Sequence, residues 1–162
     1  MTGFKKLFCV IAMSSPFIVN AGEASVTWGD LKDFRDVRPS NEVRGSYHKR
    51  IQSQFEKHFM ELSAQLPDGY KLGVKVTDID LAGDVNFSGS REMRIVKPIF
   101  FPRVEFNYVL TDGAGKLIDK ADVSLKDMSF MDKIKRGRDE EFHYEKRLIT
   151  EWFDKELMPK IQ

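Results

Sequence analysis

Apolar residues recur every third or fourth position through Tyr47, Ile51, Phe55, Phe59, Leu62 and Leu66. That spacing predicts an amphipathic helix over about 46–66. Ser46 stands where an N-cap belongs, and Pro67-Asp68-Gly69 supplies the stop. The period then drops to two. Tyr70, Leu72, Val74 and Val76 alternate with Lys71, Gly73, Lys75 and Thr77, the mark of a strand with one wet face. At Asp78-Ile79-Asp80-Leu81 the apolar parity flips, so a bulge or a strand end is expected near Asp78.

Residues 83–89 read as loop. Residues 93–101 are apolar but broken by Pro98, with Pro102 just beyond, which suits an edge strand or an irregular crossing. Alternation resumes at Val104, Phe106, Tyr108 and Leu110. Asp112-Gly113-Ala114-Gly115 is a turn, and Leu117, Ala121, Val123 and Leu125 continue past it. A β-hairpin follows from that pattern. A second helix is expected over about 140–157, where Tyr144, Leu148 and Trp152 are spaced by four, as are Ile149, Phe153 and Leu157. Asp139, Glu140 and Glu141 would complement the positive end of its dipole. Ahead of the first helix, 24–28 reads as a short strand and 29–44 as polar loop.

A helix, then antiparallel strands, then a terminal helix predicts the α+β class. The economical arrangement is a three- to four-stranded, mainly antiparallel sheet with two helices packed on one face. Lys71, Lys75, Glu105 and Asn107 would then face water from the other side.

The first 21 residues carry a different pattern. Lys5 and Lys6 precede an uncharged, mostly apolar run over 7–19, and Val19-Asn20-Ala21 offers a small-residue cleavage pattern. This reads as a secretory signal peptide, leaving a single domain over 22–162. The run is too short to span a bilayer, which takes about 20 apolar residues. Bulky Leu7-Phe8 before Cys9 argues against a lipoprotein cleavage site. The expected location is therefore the periplasm or the exterior, with no stable membrane anchor after cleavage.

Removing that segment takes away two lysines and no acid, so the net charge passes from +1 to −1. A near-neutral chain does not suit a nucleic-acid binder. The only cysteine, Cys9, leaves too, which excludes disulfides and cysteine nucleophiles from the mature protein.

Several runs resemble a known family. They are Leu66-Pro67-Asp68-Gly69, the stretch from Val76 to Asp84, Phe101-Pro102-Arg103, Leu125-Lys126-Asp127-Met128 and Tyr144-Glu145-Lys146-Arg147. Together they resemble the secreted proteobacterial family called domain of unknown function 3016, over nearly the whole mature chain. The resemblance implies an exported single-domain protein. It brings no activity and no site residues.

Asp78, Asp80 and Asp84 form the sharpest chemical candidate. Carboxylates at i and i+2 of a strand share a face, and a third after Gly83 could fold back to hold a hard cation. The plainer reading is that they pair with Arg91, Arg94 or Arg103. Arg103 completes this candidate ligand or ion site as an anion-orienting group. His48 and His58 lack the i, i+4 spacing of a helical zinc pair, and His143 opens the second helix.

Neither a nucleophile elbow nor a phosphate-cradling loop is present. No cofactor is expected. The basic run Lys133, Lys135, Arg136 and Arg138 is cancelled by the acids after it. Phe100 and Phe101, between two prolines, are candidate partner contacts, because a regular strand cannot bury both. These features favour an exported binding or envelope-accessory module that engages an envelope protein or another envelope component. The alternative is a small metal-assisted or acid–base hydrolase built on Asp78, Asp80 and Asp84.

Overall fold

A computed structural model describes residues 21–132 and 140–161. The apolar run over 7–19 and the basic run at 133–138 lie outside the described residues. The elements are β1 (Glu23–Trp28), α1 (Arg44–Ser63), β2 (Lys71–Asp80), β3 (Asp84–Ser88), β4 (Arg91–Ile95), β5 (Arg103–Thr111), β6 (Leu117–Lys126) and α2 (His143–Trp152). Beyond α2 the chain widens into a π-helical turn, Phe153–Leu157, and closes with the 3₁₀ turn Met158–Lys160.

Four strands form one sheet in the order β1-β2-β5-β6, parallel between β1 and β2 and antiparallel elsewhere. Its apolar parity is that of the sequence: Leu72, Val74, Val76 and Ile79 are buried from β2, and Val104, Phe106, Tyr108 and Leu110 from β5. The register shifts between Val76 and Asp78. That bulge returns Ile79 to the core and turns Asp78 and Asp80 outward.

Phe106 shows where the helices lie. Its ring meets Phe59 of α1 edge-on at 5.6 Å and Trp152 of α2 at 4.8 Å. Both helices therefore cover one face, and the fold is α+β. Each fully buried aromatic or aliphatic side chain in this layer contributes about 1.5–3 kcal/mol of transfer free energy. No helix among the described residues is long and apolar enough to cross a membrane.

Four local expectations are corrected. Val43, rather than Ser46, precedes the first helix, which ends at Ser63; Leu66 is buried beyond it in the turn. Residues 84–88, read as loop, are a strand that pairs with β4 as a separate two-stranded ribbon. Gly89 supplies its turn at φ +66°, a conformation that favours glycine. The loop over 29–44 is not merely polar, because Leu31, Phe34 and Val37 anchor it in the core. Finally, α2 begins at His143 because Phe142 takes a left-handed backbone at φ 57°.

Candidate functional site

Past β1 the chain loops out and returns beside the end of β2. Asp36 donates its N–H to the Ile79 carbonyl at 3.1 Å and accepts from the Leu81 N–H at 3.1 Å. This return brings Arg35 and Asp36 against the aspartates singled out in the sequence. Asp78 accepts the Arg35 N–H at 2.7 Å, and its other oxygen lies 3.4 Å from the Arg35 guanidinium. Asp80 stands 3.7 Å from Arg103 Nε, its register partner on β5. Burial pushes the Asp80 carboxyl up, opposed by Arg103. Asp84 belongs to the ribbon and accepts the Val85 N–H at 2.8 Å. Among the described residues no group of three or more His, Cys, Asp or Glu side chains is placed to hold a metal ion.

Phe100 and Phe101 are both half-buried. The Arg103 guanidinium lies 4.4 Å from the centre of the Phe101 ring, a cation–π contact. Ile99 beside them is 72% exposed, so the apolar residue presented to water is one position earlier than the pair read from sequence.

A larger concavity lies elsewhere. A cleft of about 960 Å³ opens between the N-terminal ends of α1 and α2, the segment after β2 and the ribbon. Tyr47 and Arg50 of α1 line it, with Leu81, Ala82, Arg94 and Val96 on one side and Phe142 and Glu145 on the other. Asp78, Asp80, Asp84 and Arg103 do not line it.

Arg94 fixes the ribbon to the body. Its guanidinium donates to Asp36 at 2.8 and 3.2 Å, to the Gly83 carbonyl at 2.9 Å and to the Arg38 carbonyl at 2.9 Å. Arg50 ties the two helix starts together, pairing with Glu42 and, through Nε at 2.9 Å, with Glu141. Beside Arg94 the Tyr47 hydroxyl is pushed above its usual range, chiefly by burial.

Glu145 is the unusual member. It is 2% exposed, and its Oε1 accepts the Ala82 N–H at 2.6 Å. Burial pushes this carboxyl up from the ordinary glutamate value, and the backbone N–H groups only partly offset that. Two residues along, Arg147 donates to Asp127 at 3.1 Å and to the Phe130 carbonyl at 3.2 Å. Lys146, itself buried, donates to Gln54 at 2.9 Å and Glu140 at 2.8 Å.

Three of the runs that carry the family resemblance thus meet in space. Ala82 of one touches Glu145 of another, and Asp127 of a third touches Arg147. A family model described as Protein of unknown function (DUF3016) matches residues 22–155. The chain belongs to this family. No curated protein and no solved structure matches it. In this DUF3016 protein Glu145 stands inside one of those runs, where nothing local marks it as a site residue. The signal available was a lone acid at the α2 position between Tyr144 and Lys146, and its burial depends on Ala82, 63 positions away.

Proposed function

We propose that the protein is an exported, soluble periplasmic module that binds an envelope component, and that the cleft between α1, α2 and the ribbon is where it binds. The cleft carries this reading. Its volume lies within the range of small-molecule sites, and its wall mixes apolar side chains with a few fixed polar groups. Arg94 and Arg50 hold the wall in place through ion pairs, so the concavity is built before any ligand arrives.

A hydrolase centred on Asp78 and Asp80 has less support. Both carboxylates face outward from the sheet and are held by arginines. The test is an NMR titration of the isotope-labelled protein with solubilised envelope fractions: peptidoglycan fragments, lipopolysaccharide and phospholipid. The expected result is a set of shifts confined to Tyr47, Ala82, Arg94, Val96 and Phe142. Shifts centred on Asp78 and Arg103, or none in the cleft with any fraction, would overturn the reading.

A further inference from the structure

Among the described residues four carboxyls line the cleft: Glu42, Glu140, Glu141 and Glu145. Arg50 answers Glu42 and Glu141 together, and the Lys146 ammonium answers Glu140 at 2.8 Å. Arg94, the other guanidinium in the wall among the described residues, is committed to Asp36 and to the carbonyls of Arg38, Leu81 and Gly83. Glu145 is left over. Among the described residues it receives the backbone N–H of Ala82 and no side-chain donor. Arg94 is near enough to act on it through charge but makes no hydrogen bond to it.

A buried carboxyl without a cation is costly in its ionised form, and a charged partner brought by a ligand would remove that cost. Leu81, Ala82, Val96 and Phe142 provide apolar surface beside it.

We propose that the cleft takes a small ligand carrying a primary ammonium on an apolar body, with the ammonium seated against Glu145 and the body against Leu81, Val96 and Phe142. This rests on the binding role of the cleft and adds the class of ligand. Among the described residues the lining carboxyls outnumber the cations that answer them, and the guanidiniums of Arg50 and Arg94 are already engaged, which favours a cationic ligand over an anionic one.

Hexylamine, cationic at neutral pH, is the probe, with hexan-1-ol and hexanoate as neutral and anionic counterparts of the same length. The amide signal of Ala82 reports directly, since that N–H donates to Glu145. Hexylamine should shift the Ala82 and Glu145 amides and bind at least about tenfold more tightly than either counterpart. Glu145→Gln, which keeps an oxygen to accept the Ala82 N–H, should retain the wild-type fold by circular dichroism and weaken hexylamine by about tenfold or more. Val96→Trp, which narrows the cleft and leaves Glu145 in place, should weaken it as well.

Equal binding of hexanol or hexanoate, an unaltered affinity in Glu145→Gln, or no shift at Ala82 with millimolar amine would overturn the proposal. If hexanol moved the cleft signals and hexylamine did not, the ammonium preference would fail while the cleft's binding role stood.

Discussion

Arg94 and Asp36 join two parts of the chain that share no sheet: two guanidinium nitrogens of β4 meet both carboxylate oxygens of the loop after β1, at 2.8 and 3.2 Å. The pair is mostly buried, with side-chain exposures of 18% and 23%. Through it the small ribbon is fixed to the main sheet, and one wall of the cleft with it.

Arg94→Ala should therefore be costly. It leaves Asp36 with only the Arg38 N–H and the carbonyls of Gly83 and Arg38 without the guanidinium, and breaking a buried pair from one side costs about 3–5 kcal/mol. Arg38→Ala removes a neighbouring but more exposed partner of Glu92 and should cost under about 1 kcal/mol. Urea melts of the two variants check the contrast. Equal midpoints would mean that the ribbon is held by something other than Arg94.

Trp152 is 2% exposed and lies edge-on to Phe106 and Tyr108, at 4.8 and 5.0 Å. Truncating it opens a cavity between α2 and the sheet, and Trp152→Ala should cost about 3–5 kcal/mol. Since domains are stable by only about 5–15 kcal/mol, the variant should melt far below wild type or fail to fold. A wild-type melting curve would show that the helix does not depend on this contact.

Two groups, one half-buried and one buried, give opposite pH effects. His58 lies between α1 and α2, its Nε2 at 3.0 Å from the Lys146 carbonyl and 2.9 Å from Thr150 Oγ1; burial chiefly lowers its pKa from the ordinary 6.5. The unfolded chain then takes up a proton more readily than the folded one, so stability falls as the pH drops from 6.5 towards the depressed value. His58→Gln should flatten that part of the profile of Tm against pH. A wild-type slope in the variant would assign the loss to another group.

Glu145 has the reverse sign. Its folded pKa is raised above 4.5, so its contribution is fully present below 4.5 and is lost as the pH rises through the raised value. Glu145→Gln, which cannot ionise, should melt higher than wild type at neutral pH, with the gap closing as the pH approaches 4.5. A gap that stays constant with pH would mean that this carboxyl does not titrate differently on folding.

Export is checked by mass. Protein released by osmotic shock from the cells that make it should begin at Gly22. A mass retaining 1–21, or lipid on Cys9, would overturn the reading of the leader.

The main sheet and its helices were legible because one-sided burial writes a period into the sequence. Six apolar residues at helical spacing announced α1, and the parity flip at Asp78 announced the bulge. The ribbon was not legible, for a physical reason: its strands bury little. Val85 is buried, but Phe87 is 79% exposed and Met93 52%, so alternation there carried no information about an inside. The cleft was hidden for another reason. A buried glutamate looks like any helix-surface acid until Ala82 is brought against it, and no local pattern encodes that approach. The aspartates drew attention as a cluster in the chain, yet they are held in space by Arg35 and Arg103 on other segments.

The π-helical turn after α2 bears on how the chain tolerates changes in length. Phe153 and Leu157 at its ends are fully buried, while Asp154, Lys155 and Glu156 between them face water. A π turn holds one residue more than the α register requires. The surplus residue lies on the wet side, between two core anchors. Deleting one of the three exposed residues would set Phe153 and the leucine three apart, a spacing that an ordinary helix also keeps on one face. The end of this helix can therefore shorten by one residue and keep both anchors in the core, where the same deletion within β2 or β5 would turn every following side chain to the opposite face.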